Sequence, residues 1–304
     1  MKKLISILVF CITITTQTCE YAPLFQNNVS SEPLNKLLAL THITHNNSLS
    51  SIVDATQKAQ TDGGWLRKSK TERWQIEEIH TDKKNECLPL FKQLGMVNAA
   101  SPTQKNYDYV LLHGGPVNIV RLRLAYLVFK CLNNDLQFKH LIVLTGKRAL
   151  DPSIENIKTL YASTESILPF KATWHPTKTF PQTETEMIQL VLEQSITPGN
   201  WDTVTTTFID TPASITYRPT TADTIAYWLK EYHPEAGSIL AISNQPHVPY
   251  QHEILTSIIP PTFYTETVGP ALEQDTKLAI MFDALARWLY QKQQNNVSSL
   301  RAKL

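Results

Sequence analysis

The sequence predicts an α/β protein: a doubly wound, five-stranded, mainly parallel sheet in the order 3-2-1-4-5, preceded by an N-terminal helical region. Two observations carry this expectation. From residue 107 onward, five short apolar or β-branched runs alternate with helical patterns, and such alternation implies parallel strands joined by right-handed crossovers. Several of the runs are continuously apolar rather than alternating, as strands buried on both faces require. A third observation places the site. Residues 107–123, YDYVLLHGGPVNIVRLR, read as a buried strand, a Gly114-Gly115 turn and a helix opened by Pro116. A glycine turn at a helix start presents backbone N–H groups and the positive helix end to an approaching anion.

The elements follow in order. Lys2-Lys3 and the predominantly apolar stretch of 11 residues, 4–14, read as a secretory leader over residues 1–19, the stretch being too short for an ordinary membrane span. The segment before Cys19 leaves three outcomes open: cleavage, lipidation at Cys19, or retention as an anchor. Export to the periplasm or cell envelope is expected in each, and attachment to a membrane through the N-terminus in the last two. Residues 20–104 read as a tether and a helical region. The tether carries a short helix over 34–40. The stretch 65–80, WLRKSKTERWQIEEIH, has the alternating charges of a solvated amphipathic helix. Residues 87–96 read as a helix stopped at Gly95.

Residues 105–295 form the predicted Rossmann-like unit, with 296–304 as a tail. Its strands are expected at 109–112, 140–145, 204–209, 238–243 and 263–268, and its last helix over 276–294. Residues 149–182 lack a strong pattern, and loops of that length are commonly lids or binding loops. Glu184 and Glu186 stand in the first turn of a helix over 183–194, where the helix dipole favours carboxylates. Thr220 to Asp223 forms a capping box. In the order 3-2-1-4-5 the switch point lies between the first and fourth strands. His113-Gly114-Gly115 and Asn244-Gln245-Pro246-His247 should therefore face each other across a crevice.

Composition narrows the function classes. Without Lys2 and Lys3, 26 basic residues face 27 acidic ones, so no global basic field favours nucleic acid. Of four cysteines, Cys11 lies in the leader. Cys131 reads as a buried thiol on an apolar helix, with a pairing to Cys87 as the alternative. No spacing typical of a zinc site is present. The glycine turn is not GxGxxG and no acidic residue marks the end of the second strand, which argues against a nicotinamide cofactor; the identity of any cofactor is left unknown. GxSxG, GxxxxGK[ST] and HExxH are also missing.

The order of motifs over about residues 107–260 resembles the YdcF/SanA/ElyC family of bacterial envelope proteins, Rossmann-like domains largely without assigned chemistry. The likeness rests on Leu111 to Gly115, Arg121, Thr145-Gly146, Thr183-Glu184-Thr185, the Thr221 to Thr224 box, and the turn His247-Val248-Pro249-Tyr250. It implies a role in envelope biogenesis or barrier function, and one relative is linked to S-adenosylmethionine. Thr224 stands where the family has Asn, and Tyr250 where it has Arg. Two outcomes are open: the family ligand is lost, or Lys147, Arg148 or Arg218 substitutes for the missing groups.

The expected function is therefore binding of a small phosphorylated or nucleotide-like anion at the switch point, with hydrolysis or group transfer as the accompanying reaction. His247, Glu184 and Asp223 are the candidate catalytic residues. Gly114, Gly115, Arg121, Lys147, Arg148, Thr221 and Asn244 are the candidate ligand-binding residues. The alternative is a non-catalytic envelope scaffold that keeps the fold without the site.

Overall fold

A computed structural model of the protein describes residues 22–133, 135–176, 179–212 and 219–301, with side chains to residue 298. The leader, Cys19 and Arg218 lie outside the described residues. A small hairpin of β1 (Phe25–Gln26) and β2 (Val29–Ser30) precedes helices α1 (Glu32–Leu40), α2 (Leu49–Thr56) and α3 (Lys84–Gln93). The α/β unit then runs β3 (Asn106–His113), α4 (Val117–Leu132), β4 (Gln137–Gly146), α5 (Ile157–Tyr161), α6 (Glu184–Gln194) and β5 (Thr205–Thr211). It continues with α7 (Thr221–Tyr232), β6 (Ser238–Ile242), α8 (Val248–Ile258), β7 (Tyr264–Val268) and α9 (Leu278–Arg301). Among the described residues no helix is long and apolar enough to cross a membrane.

The five-stranded sheet is all-parallel, in the order β5-β4-β3-β6-β7. Numbered within the sheet, that is the expected 3-2-1-4-5. Alternate residues of each strand feed opposite faces, which is why the runs are apolar throughout. On β3, Val110 and Leu112 pack with Leu124 and Val128 of α4 and Met187 and Val191 of α6. Leu111 points the other way, into a core with Trp228 of α7 and Ile254 and Leu255 of α8. A third cluster joins the N-terminal helices to α9, with Trp65, Phe91 and Phe282 fully buried at its centre. Their rings lie 5.0 and 5.1 Å from Phe282.

Three local expectations are corrected. The stretch 65–80 is not a helix. It is an irregular strap with one 3-10 turn, Arg73–Gln75. Tertiary anchors override its helical charge pattern. Trp65 is buried against Phe282, the Arg67 N–H donates to Asp283 Oδ1 at 3.0 Å, and Lys70 adopts a φ of 64° that breaks a helix. Residues 22–31 are not a tether: the Ala22 N–H donates to the Gln93 carbonyl at 2.9 Å and Leu24 is buried. The last helix continues to Arg301, through much of the expected tail. Cys87 and Cys131 are both buried and unpaired, in separate cores; burial pushes each thiol up to about 11.

Candidate functional site

A cavity of about 270 Å³ opens beyond the carboxyl ends of β3 and β4, where ligands of open α/β sheets bind. Its floor is the β3–α4 turn, His113 to Pro116, with Leu144 and Gly146 from β4. One wall is the start of α7, with Thr220, Thr221 and Thr224, so the positive end of that helix faces the space. Tyr250 and Gln251 of α8 complete the far side, and the strap contributes Arg67, Glu72, Arg73 and Trp74.

Five arginines line this space: Arg67, Arg73, Arg123, Arg148 and Arg287. The carboxylates on the lining are Glu72 and Glu184. Three of the cations are matched by buried acids. Asp283, fully buried, accepts from Arg67 Nη1 at 3.1 Å and from Arg287 Nε at 3.0 Å. Burial alone would raise its pKa, but Arg287 and Arg67 outweigh burial and hold the carboxyl below its ordinary value. Arg148 joins Glu155 at 2.7 Å and Glu184 at 2.9 Å. Those two partners more than offset its burial and raise its pKa. Arg73 and Arg123 form no ion pair with a described residue. Burial, together with Arg67 beside it, lowers Arg73 to about 10. Burial and Arg73 lower Arg123 to about 9. Both remain charged at neutral pH.

Arg123 is the keystone of the crevice. Its Nη1 donates to the carbonyls of His113 and Gly114, and its Nε and Nη2 donate to Asn244 Oδ1 at 3.1 and 2.8 Å. The His113-Gly114-Gly115 turn and the Asn244 turn do face each other, with a guanidinium filling the gap. Asn244 is thus a holder of Arg123. Gly114 is required by close approach: a Cβ there would lie 2.2 Å from Glu184 Oε1 and 2.8 Å from the Leu144 carbonyl.

The structure brings together Gly114, Gly115, Arg148, Glu184 and Thr221, and separates the other expected residues from them. Arg121 does not reach the cavity. Its guanidinium caps the loop over 149–182, donating to the carbonyls of Thr159 at 2.8 Å, Leu160 at 3.0 Å and Glu165 at 3.0 Å. Thr159 and Leu160 belong to α5, whose last carbonyls have no partner within the helix. Lys147 is exposed beyond the rim. Asp223 accepts from the Thr220 N–H and hydroxyl, closing the capping box. His247 stands at the N-cap position of α8, makes no capping bond with its side chain, and lies outside the arginine cavity. Thr224 donates its hydroxyl to the Thr220 carbonyl at 3.0 Å.

Sequence reasoning missed Arg67, Arg73, Arg123, Arg287 and Asp283. Asp283 and Arg287 stand four apart on α9 and form an i,i+4 pair, a spacing visible in the sequence. Arg67 and Arg73 gave no such signal, because their shared direction arises from the strap's irregular backbone.

Two buried histidines border this charge. Burial, then Arg123, lowers His113 to about 3. Burial, then Arg73, Arg123, Arg287 and Arg67, lowers His247 well below its ordinary value. Both are neutral at physiological pH. An unfolded imidazole titrates near 6.5, so between about pH 3 and 6.5 the unfolded chain binds more protons at His113 than the folded protein does. Stability therefore rises with pH across this window and falls on acidification, by up to about 1.4 kcal/mol per pH unit from His113, and the lowered His247 acts in the same direction. Urea unfolding between pH 5 and 6.5 should show a shallower pH slope for His113→Gln than for the unaltered protein; equal slopes would contradict the assignment.

No family model, curated protein or solved structure matches the chain.

Proposed function

We propose that the chain is an exported, divergent relative of the YdcF/SanA/ElyC group that binds a small phosphorylated anion in the arginine cavity. The observation that carries the reading is the pair Arg73 and Arg123: two guanidiniums on the cavity lining that form no ion pair with a described residue. Arg123 is buried, Arg73 is half-buried, and each disfavours the charge of its neighbours, so holding the two guanidiniums close together is costly. A bound anion would offset that repulsion. The Gly115 turn, the start of α7 and Arg148 add donors around the same space. The motif order from Leu111 to Tyr250 and the doubly wound sheet support the family reading.

The reading is one of binding. The hydrolase or transferase expectation named His247 as proton carrier, and His247 does not line this cavity. Glu184 does, but Arg148 holds it as a carboxylate partner.

Titration calorimetry with inorganic phosphate tests the proposal. Arg73→Met should weaken binding at least tenfold, since a hydrogen bond to a charged group contributes about 1.5–3 kcal/mol. The same variant should melt no lower than the unaltered protein, because it relieves like-charge repulsion. Undiminished binding by Arg73→Met would sink the proposal.

A further inference from the structure

A second cavity, of about 370 Å³, adjoins the first. The two share Arg73, Trp74 and Pro116 on their linings, so they lie on either side of one edge. The second has a different character. Val117, Ile119, Ile154 and Ile280 give it apolar walls. Its polar groups include His247 and Gln245, each 3 % exposed. His247 Nδ1 and Gln245 Oε1 have no hydrogen-bond partner among the described residues. Buried polar atoms without partners are uncommon and point to a missing donor or acceptor. On the rim, Glu273 and Asp275 carry negative charge beside Lys277.

Resting on the anion-binding reading above, we infer that the ligand is a phosphate ester: its phosphate lies among the arginines, and its uncharged, hydroxyl- or amide-bearing organic half occupies the second cavity. Neutral His247 and the Gln245 carbonyl oxygen match hydroxyl and amide groups rather than a second anion. Glu273 and Asp275 at the rim repel a second phosphate. The volume falls within the range of small-molecule sites, about 300–1,000 Å³. Nucleotides and sugar phosphates share this chemistry, and the test distinguishes them.

The experiment is titration calorimetry of the purified protein with inorganic phosphate, glucose 6-phosphate and adenosine monophosphate. At least one ester should bind tenfold or more tightly than phosphate; which one does identifies the organic half. Ile280→Trp fills the second cavity without touching the first. It should abolish the preference for the ester and leave phosphate affinity unchanged. Asn118→Trp, at an exposed position on the same cavity, repeats the test should Ile280→Trp fold poorly. Equal affinity for phosphate and both esters, or an ester preference that survives a folded tryptophan variant, overturns the inference while leaving the anion site intact. Failure of the unaltered protein to bind phosphate overturns the anion-binding reading itself.

Discussion

Replacing Asp283 with alanine is expected to lower the unfolding free energy by about 3–5 kcal/mol, the cost of removing one partner from a buried ion pair. The carboxylate is fully buried and accepts four hydrogen bonds: from the Arg67 N–H and Nη1, and from Arg287 Nε and Nη2. Its loss would take the shared carboxylate from Arg67 and Arg287, beside Arg73 and Arg123, which form no ion pair with a described residue. It would also free the strap, since Arg67 is that segment's anchor on α9. Asp283 carries a lowered pKa in the folded state. Its contribution is thus complete above the unfolded carboxyl range, near pH 3.9, and is lost as pH falls through the lower folded value. Chemical denaturation at pH 7 checks the magnitude. A loss below about 1 kcal/mol would show that the arginines do not depend on this carboxylate.

Gly114→Ala should also destabilise the protein, by a smaller amount and through a different cause. The new methyl group would meet Glu184 Oε1 at 2.2 Å and the Leu144 carbonyl at 2.8 Å. The carbonyl belongs to β4 and already accepts from the Gly114 N–H at 2.8 Å, so the strand cannot retreat without losing that bond. Glu184 must move, and with it the contact to Arg148 at 2.9 Å. Overpacking of this kind costs about 1–3 kcal/mol, and displacing Arg148 should weaken phosphate binding at least tenfold. Gly199→Ala is the control. A Cβ there has nothing within 4 Å, so stability should change by less than about 0.5 kcal/mol. Thermal melts and phosphate titrations of both variants check this. Equal behaviour of the two would contradict the close-approach argument.

The sheet was legible because its signal is local and redundant. Each strand is a short apolar or β-branched run, each crossover helix has its own spacing, and the Thr220-Asp223 box marks one start without ambiguity. The floor of the cavity was legible for the same reason, since Gly114, Gly115 and Glu184 sit at element boundaries. The choice between Arg121 and Arg123 was not. Both lie on α4, both are buried, and only the helix phase decides that one staples the loop while the other reaches the crevice. The strap was misread because alternating charge is equally consistent with a solvated helix. What sets its path is Trp65 packing on Phe282 and Arg67 meeting Asp283, partners more than 200 residues away. Contacts of that separation leave no periodicity in either segment.

Arg73 follows from that path. Among the described residues it forms no ion pair, in contrast to Arg67, Arg148 and Arg287. The most direct test is the position of a heavy tetrahedral oxyanion in crystals of the protein grown with tungstate. The anion-binding account predicts an anomalous peak inside the cavity, within hydrogen-bond distance of Arg73 and beside the Gly115 turn. A cavity without a peak, with tungstate only on exposed lysines, would contradict it.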